Sequence, residues 1–394
     1  MIVGTIREIK NNENRVGLTP FGVAELVKSG HRVLVQETAG MGSGYSDQDY
    51  RDVGAELKRS PEDVVSEIDI LVKVKEPIRE EFYLLDLMKG KTLYTYLHLS
   101  GVEKAITKRL LENEITGIAY ETVEGETGGL PLLAPMSEIA GVLAIQYGAQ
   151  YLQKKYGGLG LTMGHITGTD LAHTVIIGGG VAGEFAARSA LGMGGYVTLF
   201  ELRDERINEL RDLISDLFGP HISKNFQILK PVEPVYSETI AKADVLVGAV
   251  LVKGARAPEV VNETQVKSMK RGAVLVDISI DQAGCIWGSR ATTHEEPIYE
   301  IDGKIFCCVA NMPGQVARQS TQALTNATLP YLLTMANGGV IETLTASYNN
   351  SGRFAKGLNT YKGKITYEAV AKDLDMEASY MDPQSAFDQV SLNI

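Results

Sequence analysis

The feature that most constrains the fold is a glycine-rich turn between two apolar strands. Residues 173–203 have the sequence HTVIIGGGVAGEFAARSALGMGGYVTLFELR, in which a strand pattern leads through glycines into a helix pattern and a second strand. Gly178, Gly180 and Gly183 fit G-x-G-x-x-G, a turn whose backbone and following helix N-terminus receive a diphosphate. Glu201 follows Gly178 by 23 residues, where a carboxylate accepts hydrogen bonds from ribose hydroxyls. The stretch therefore predicts a dinucleotide-binding βαβ unit.

The acidic residue at the end of the second strand also predicts which dinucleotide binds. A carboxylate at Glu201 repels a 2′-phosphate, which favours NAD over NADP. Arg203 and Arg206 lie close by in the sequence, and either can weaken that preference. The alternative for both arginines is that they are solvated residues at the start of a helix. On this basis NAD is the expected cofactor.

Strand and helix patterns alternate on both sides of this unit, which predicts parallel sheets covered by helices. A helix is predicted over 47–58, and the segments after residue 337 are predicted to be mostly helical. The fold class is therefore α/β, with two doubly wound, Rossmann-like domains and an active site in the cleft between them. The predicted strands are 2–8, 32–37, 70–75, 92–98 and 116–123 in a first block, and 174–178, 196–202, 226–230, 244–251, 273–279 and 305–311 in a second.

The length of 394 residues also favours two domains, because chains beyond about 250–300 residues tend to form more than one hydrophobic core. A long apolar-periodic segment over 137–156 is predicted to be a helix that links them. We assign residues 1–130 and 310–394 to a substrate-binding, catalytic domain. Residues 131–309 are assigned to a NAD-binding domain.

Composition excludes several other classes of protein. The formal net charge is −11, from 38 basic and 49 acidic residues, and no dense Lys/Arg run offers a basic face to nucleic acid. No stretch approaches the roughly 20 uninterrupted apolar residues of a membrane span, and the N-terminus lacks the apolar core of a signal peptide. Cys285, Cys307 and Cys308 are too few and wrongly spaced for a disulfide framework or a zinc site. We therefore expect a cytoplasmic protein without a metal, membrane or nucleic-acid partner.

Three polar residues follow predicted strands of the first block. Arg15 lies in the loop after the first strand, Lys75 ends ILVKVK, and His98 ends TLYTYLH. Because ligands bind outside the carboxyl ends of parallel strands, these side chains are expected at one edge of the sheet. A guanidinium can hold a carboxylate, an ammonium can polarise a carbonyl, and an imidazole can transfer protons near neutral pH. Each residue alone fits a structural role, and it is their combination that favours a substrate site.

Two further candidates lie in the second block. Asp281 follows the strand AVLVDISI at its carboxyl end, although Asp277 inside that strand is an equal candidate. Asn311, in CVANMPG, can donate a hydrogen bond to a nicotinamide or a ribose, or can serve only as a turn residue before Pro313. The sequence contains no HExxH, Walker A, G-x-S-x-G or paired-cysteine pattern, which argues against metalloprotease, ATPase and serine hydrolase activities.

Motifs along nearly the whole chain resemble the family of alanine dehydrogenases and nicotinamide nucleotide transhydrogenase alpha subunits. They include KNNENRVGLTP, LVKVKEP, LHLSG, GIAYETV, LPLLAPMSEIAG, VIIGGGVAG, VGAVLVKGARAP, VLVDISIDQAGC and VANMPGQV. The resemblance implies reversible, NAD-dependent oxidative deamination of L-alanine to pyruvate and ammonia, carried out by a homo-oligomer, commonly a homohexamer. Two alternatives stay open: a peripheral NAD(H)-binding subunit of a transhydrogenase, and an opine- or lysine-forming dehydrogenase of the same superfamily.

The resemblance also implies roles for individual residues. In the family, the residues that match Arg15 and Lys75 hold the substrate, the one that matches His98 is the acid/base, and the one that matches Asp281 is a second active-site residue. The chain departs from the family at Glu201, where Asp is usual, and near Pro231, where a serine contact is absent. The nucleotide contacts of the family fall on Ser137, Val181, Ala182, Glu201, Arg206, Val250, Leu251, Ile278, Ser279, Ile280, Asp281, Val309, Ala310, Asn311 and Met312.

Overall fold

The structure, a computed structural model, describes residues 1–126, 128–252 and 256–391. Part of the motif VGAVLVKGARAP therefore lies outside the described residues. The chain divides into two compact units. Unit 1 consists of Met1–Pro135 together with the chain from Gly314 onward, and unit 2 consists of Met136–Pro313.

Strands in chain order form two sheets, one in each unit. They are β1 (Ile2–Thr5), β2 (Arg32–Gln36), β3 (Glu56–Lys58), β4 (Ile70–Val72), β5 (Thr92–Thr95), β6 (Thr116–Ala119), β7 (His173–Ile177), β8 (Tyr196–Phe200), β9 (Phe226–Leu229), β10 (Val245–Gly248), β11 (Val274–Asp277), β12 (Ile298–Ile301), β13 (Lys304–Cys307), β14 (Leu358–Tyr361) and β15 (Lys364–Ile365).

Helices flank both sheets, and the longest is α11. They are α1 (Pro20–Lys28), α2 (Asp47–Asp52), α3 (Pro61–Glu67), α4 (Phe82–Leu87), α5 (Lys104–Glu112), α6 (Ala134–Tyr151), α7 (Val181–Gly192), α8 (Asp204–Ser223), α9 (Val235–Lys242), α10 (Glu263–Ser268), α11 (Ala317–Gly338), α12 (Val340–Asn350), α13 (Glu368–Asp373) and α14 (Pro383–Ser391). No helix among the described residues is long and apolar enough to cross a bilayer.

The sheet of unit 1 has eight strands in the order β15-β14-β6-β5-β4-β1-β2-β3. Strands β1 to β6 run parallel, whereas β14 is antiparallel to β6 and β15 is antiparallel to β14. The predicted α/β class with parallel-dominated sheets is confirmed. The chain after residue 337 is mostly helical as predicted, and the exceptions are the two short strands β14 and β15. A two-residue turn, Lys362-Gly363, joins them with φ of 44° and 74°, the left-handed conformation typical of a tight hairpin.

The helix predicted over 47–58 is also wrong in its second half. Helix α2 ends at Asp52, and Gly54 adopts a φ of 92°, which breaks the helical path. The chain then forms β3, which pairs in parallel with β2 at the edge of the sheet. Strand β3 has only three residues, which is too short for the alternation of apolar and polar residues that distinguishes a strand from the end of a helix.

The sheet of unit 2 has seven strands in the order β12-β13-β11-β10-β7-β8-β9. All neighbours are parallel except β12 and β13, which form an edge hairpin that was not predicted. Its turn is Asp302-Gly303, with φ of 49° and 76°, and Asp-Gly is a strong hairpin signal. All four residues of β10 and of β11 are buried, and both strands are apolar except for Asp277 at the end of β11, as expected for strands covered on both faces.

Candidate active site

Three neighbouring strands of unit 1 end in polar loops. In its sheet, β4 pairs with β1 on one side and with β5 on the other, and all three strands are parallel. The loops that follow them therefore leave the same edge of the sheet. Arg15 lies in the loop after β1, Lys75 lies three residues beyond β4, and His98 lies three residues beyond β5. Strand order thus explains how residues far apart in the sequence come to one edge.

Arg15 is almost fully buried and is paired with a carboxylate. Its Nε donates to Glu13 Oε1 at 2.7 Å and its Nη2 donates to Glu13 Oε2 at 2.5 Å, while the side chain is 2% exposed. Burial by itself raises the pKa of Glu13, but the charge and hydrogen bonds of Arg15 outweigh burial and lower that pKa to about 2. Glu13 therefore stays ionised near neutral pH and holds the guanidinium in one orientation.

The two lysines of ILVKVK have different surroundings. Lys73 is buried, and its Nζ lies 2.9 Å from Glu8 Oε2 and 2.7 Å from Glu81 Oε1. Lys75 is half-buried, and its ammonium has no hydrogen-bond or ion-pair partner within the described ranges of the chain. Lys73 is therefore part of a closed, structural cluster of charges. Lys75 keeps an ammonium that a ligand can reach.

His98 is held through both its ring and its backbone. Its Nδ1 lies 3.2 Å from Glu76 Oε2, and its ring stacks on Tyr96 with centroids 5.4 Å apart and an interplanar angle of 22°. Its backbone has a φ of 46°, a left-handed conformation that a histidine rarely adopts, and its N–H donates to Glu121 Oε1 at 2.6 Å. Strained backbone of this kind persists only where surrounding contacts over-determine it, which is frequent at active sites.

Two buried carboxylates connect the three predicted substrate residues. The pKa of Glu13 is lowered by both Arg15 and Lys75. The pKa of Glu76 is lowered by the His98 hydrogen bond and by the Lys75 charge, against the effect of burial. Arg15, Lys75 and His98 therefore surround Glu13 and Glu76 in one cluster.

Sequence reasoning missed Glu13, Glu76, Glu121 and Tyr96. A charged residue beside another charged residue in a loop usually marks a solvated surface, and KNNENR and KVKEP look solvated by that rule. Their burial follows from the strand order, which places both loops under neighbouring segments. One signal in the sequence could have indicated a buried carboxylate at this site: Glu76 directly follows Lys75 at the end of a buried strand.

The glycine-rich turn of unit 2 fits a diphosphate. Gly178 has a φ of 107°, and a Cβ there would lie 2.5 Å from Ala249 O. A Cβ on Gly183 would lie 1.9 Å from Gly178 O, so helix α7 packs tightly on the turn. Gly180 is the N-cap of α7, and a Cβ there would meet nothing within 4 Å. Open space lies at a helix N-terminus, the place where backbone N–H groups and the helix dipole receive an anion.

Glu201 and the two nearby arginines lie around this turn. Glu201 Oε2 accepts the Gly179 N–H at 3.0 Å, and Glu201 Oε1 accepts the Arg203 N–H at 3.0 Å and its Nε at 3.2 Å. Arg206 donates from Nε to Gly179 O at 2.8 Å and from Nη2 to Glu184 Oε2 at 2.6 Å. Both guanidinium groups are therefore paired with carboxylates. The alternative of a solvated arginine fits Arg203, 68% exposed, but not Arg206, 19% exposed.

The structure separates the two candidate aspartates of the second block. Asp277 is fully buried, and its Oδ2 accepts the Cys285 N–H at 2.8 Å and the Ser289 hydroxyl at 2.7 Å. Its Oδ1 accepts the Ser279 N–H at 3.0 Å, so this carboxylate closes the turn after β11. Asp281 lies on that turn with its side chain exposed. Only Asp281 is placed to meet a ligand.

Other predicted nucleotide residues lie on the same side of the unit 2 sheet. The Val250 N–H donates to Ser279 Oγ at 3.0 Å, and that hydroxyl donates to Val250 O at 2.7 Å, which joins the ends of β10 and β11. Leu251 follows with its side chain 54% exposed. Ile278 is half-buried and Ile280 buried on the turn that carries Ser279.

The segment after β13 and the start of α6 complete the predicted set. Val309 and Met312 are buried, whereas Asn311 is half-buried and has a φ of 57°. The Ala310 N–H donates to Thr292 O at 3.1 Å. Ser137 lies in α6, one turn before Gly141. A Cβ on Gly141 would lie 2.2 Å from Ala182 O, so α6 packs closely on the start of α7, beside Val181.

The three cysteines lie buried in unit 2. All three are buried free thiols, and burial raises the pKa of the Cys285 thiol to about 12. Across the described parts of the chain, no group of three or more His, Cys, Asp or Glu side chains is arranged to hold a metal ion.

Comparison with known proteins covers the chain almost from end to end. Residues 4–140 match the profile "Alanine dehydrogenase/PNT, N-terminal domain", and residues 144–368 match "Alanine dehydrogenase/PNT, C-terminal domain". The chain is 50% identical over 376 residues to an alanine dehydrogenase of Mycolicibacterium smegmatis, covering 95% of this chain and 97% of the relative. It is 47% identical over 377 residues to an alanine dehydrogenase of Methanococcus maripaludis, with coverage of 95% and 97%. A solved structure of an L-alanine dehydrogenase superimposes with a TM-score of 0.86 at 41% identity, covering 95% of this chain and 99% of that one.

Proposed function

The chain belongs to the alanine dehydrogenase/PNT family, and on this premise we propose that it interconverts L-alanine and pyruvate with ammonia and NAD. The protein functions as an alanine dehydrogenase, the activity named for relatives that share about half of its residues over nearly the whole chain. The observation that carries the proposed mechanism is the cluster of Arg15, Lys75 and His98 at one sheet edge. Two cations suit the carboxylate and carbonyl of a 2-oxo acid, and an imidazole suits the proton transfers.

We assign the substrate roles to unit 1. Arg15 holds the carboxylate of the substrate, and Lys75 stabilises the oxygen that develops on the carbon undergoing attack. In deamination, His98 accepts a proton from the water that attacks the imine carbon, and in amination it returns that proton. Asp281 is the proposed second active-site residue, which orients the water or the ammonium group.

We assign the cofactor roles to unit 2. NAD, when bound, accepts the α-hydrogen of alanine as a hydride. The open space over Gly180, with Gly178 and Gly183 shaping the turn, accommodates the diphosphate, and Glu201 accepts the ribose hydroxyls. The remaining residues proposed to line the dinucleotide are Ser137, Val181, Ala182, Arg206, Val250, Leu251, Ile278, Ser279, Ile280, Val309, Ala310, Asn311 and Met312.

Cofactor preference is tested at Glu201. Replacing Glu201 with serine is expected to lower the preference for NADH over NADPH roughly 10- to 100-fold, because the carboxylate no longer repels the 2′-phosphate. Glu201→Asp is the matched control, since it keeps the charge and is expected to keep the preference. The measurement is the ratio of kcat/KM for the two reduced cofactors. If the wild-type protein uses NADPH as well as NADH, Arg203 or Arg206 dominates and the assignment of Glu201 is wrong.

The proposal extends to assembly and location. We propose that the protein acts in the cytoplasm as a homohexamer, with small molecules as its only other partners. Light scattering coupled to size-exclusion chromatography on the purified full chain measures the assembly directly. A monomer or dimer that turns over at the full rate would contradict the hexamer and leave the activity in place.

One assay separates the proposed reaction from its alternatives. The purified protein is mixed with NADH, pyruvate and ammonium, and NADH consumption is compared with mixtures that omit one component. The proposed function requires that oxidation of NADH depends on both pyruvate and ammonium. An opine-forming enzyme would instead oxidise NADH when an amino acid replaces ammonium. A transhydrogenase subunit would bind NADH and show no turnover in any of these mixtures.

A further inference from the structure

Glu76 is the carboxylate in contact with the imidazole of His98. Its Oε2 lies 3.2 Å from His98 Nδ1, its Oε1 is paired with Lys10, and its side chain is 4% exposed. A carboxylate only accepts hydrogen bonds, so Nδ1 carries the proton and the lone pair of the neutral ring lies on Nε2. Within the described residues, His98 Nε2 has no hydrogen-bond partner of its own. The ring therefore presents its basic nitrogen for reaction.

The surroundings keep Glu76 ionised. Burial alone raises the pKa of this carboxyl, but the hydrogen bond with His98 and the charges of Lys75 and Lys10 outweigh burial and hold the pKa well below its usual range. Glu76 is thus a fixed negative charge under the imidazole rather than a group that exchanges protons near neutral pH.

The backbone of His98 is held independently of its ring. Glu121 accepts the N–H groups of both Leu97 and His98, and it keeps His98 at a φ of 46°. The ring itself stacks on the buried Tyr96. Backbone and aromatic contacts fix the position of the ring, but neither decides which ring nitrogen carries the proton. That choice depends on the partner of Nδ1, which is Glu76.

We propose that Glu76 is a positioning residue that selects the reactive tautomer of His98 and stabilises the imidazolium formed when His98 accepts a proton. This inference rests on the proposed function, because it concerns the proton transfers of that reaction. The arrangement follows a general pattern, in which a carboxylate behind a histidine fixes the tautomer and orientation without reacting itself.

The principal test is Glu76→Gln, assayed with pyruvate, ammonium and NADH as a function of pH. We expect kcat to fall about 10- to 100-fold, because an amide no longer selects one tautomer. The KM for pyruvate is expected to change less than kcat, since Arg15 and Lys75 are retained. The midpoint of the limb that reports proton transfer is expected to move to lower pH by about 1 unit, because the negative charge that stabilises the imidazolium is gone.

Two further variants test the direction in which the neighbouring charges shift the pH midpoint. The charged and titratable groups around the ring are Glu76, Glu121, Lys75, Lys10 and the hydroxyl of Tyr96. Lys10→Met removes a positive charge that opposes the imidazolium, so the midpoint is expected to move to higher pH, by less than in Glu76→Gln because Lys10 is partly exposed to solvent and does not contact the ring. Glu76→Asp keeps the charge but shortens the side chain, so it is expected to restore the midpoint more fully than kcat.

Glu81→Gln is the matched control for loss of a buried carboxylate. Glu81 is buried and pairs with Lys73 in the same unit, and none of its contacts reaches His98. This variant is expected to lower the melting temperature and leave the pH midpoint where it is in the wild type. A Glu76→Gln protein that only melts earlier, with the wild-type pH profile and kcat, would overturn the proposal.

A second readout does not depend on turnover. Nitrogen NMR of the histidine rings reports which nitrogen of His98 is protonated, and His98→Gln identifies the signal. We expect a proton on Nδ1 in the wild type and a mixture of tautomers in Glu76→Gln. The same mixture in both proteins refutes the positioning role even if the enzyme is active. An inactive wild type with the expected tautomer instead refutes the proposed function and retains the role of Glu76 toward the ring.

Discussion

Replacing His98 with alanine is expected to slow turnover with pyruvate, ammonium and NADH by about 100- to 10,000-fold, the usual contribution of general acid–base transfer. The His98 side chain is 35% exposed and Glu76 keeps its ion pair with Lys10, so the variant is expected to fold with only a modest decrease in melting temperature. NADH affinity is expected to be retained, because the residues proposed to bind the dinucleotide belong to unit 2. The pH profile of deamination is expected to lose one limb, since the group proposed to accept and return the proton has been removed.

The left-handed backbone at His98 calls for a second variant. Alanine at a φ of 46° is strained, whereas asparagine tolerates this conformation, so His98→Asn separates loss of the imidazole from strain of the backbone. Both variants are expected to lose turnover to a similar degree. Turnover, melting temperature and NADH affinity are measured on the same preparations. A stable, NADH-binding protein with near-normal turnover would end the catalytic assignment of His98.

Replacing Arg15 with alanine is expected to have two large effects. Loss of a charge-assisted contact to the substrate carboxylate is worth roughly 1.5–3 kcal/mol, or about a tenfold to a hundredfold loss of pyruvate affinity. The protein is also expected to lose up to about 3–5 kcal/mol in the free energy of unfolding, because the buried Glu13 carboxylate loses the guanidinium that is its ion-pair partner. Pyruvate dependence of the rate and urea unfolding measure these quantities separately.

The double variant Arg15→Met with Glu13→Gln distinguishes substrate binding from stability. It removes both charges of the buried pair, so most of the free energy of unfolding is expected to return, because no uncompensated charge remains. Pyruvate affinity is expected to stay low, because the guanidinium is still absent. If the double variant binds pyruvate as the wild type does, another residue holds the substrate carboxylate and Arg15 is structural.

The alternating elements and the dinucleotide turn were predictable because their signals are local. In β7 and α7 the apolar strand, the three glycines and the helix follow one another within residues 173–192, and each glycine has a backbone or packing reason in the structure. The edge hairpins β12–β13 and β14–β15 were not predicted, although their two-residue turns, Asp302-Gly303 and Lys362-Gly363, each end in glycine. Their strands are short, and short edge strands are distinguished mainly by the neighbour they pair with.

The candidate site also has features that the sequence predicts and features that depend on the tertiary structure. The sequence by itself identified the residues that we propose to carry the chemistry, since Arg15, Lys75 and His98 each follow a recognisable strand, and a side chain at a strand end is a local feature. Only the tertiary structure decided that Lys73 is enclosed by two carboxylates and Lys75 is not, that Asp277 closes a turn and Asp281 faces solvent, and that Glu76 lies behind His98. The physical reason is that burial and charge pairing depend on which strands are neighbours in the sheet. Strand order joins β1, β4 and β5 across some ninety residues of chain, a distance over which sequence patterns contain no information about contact.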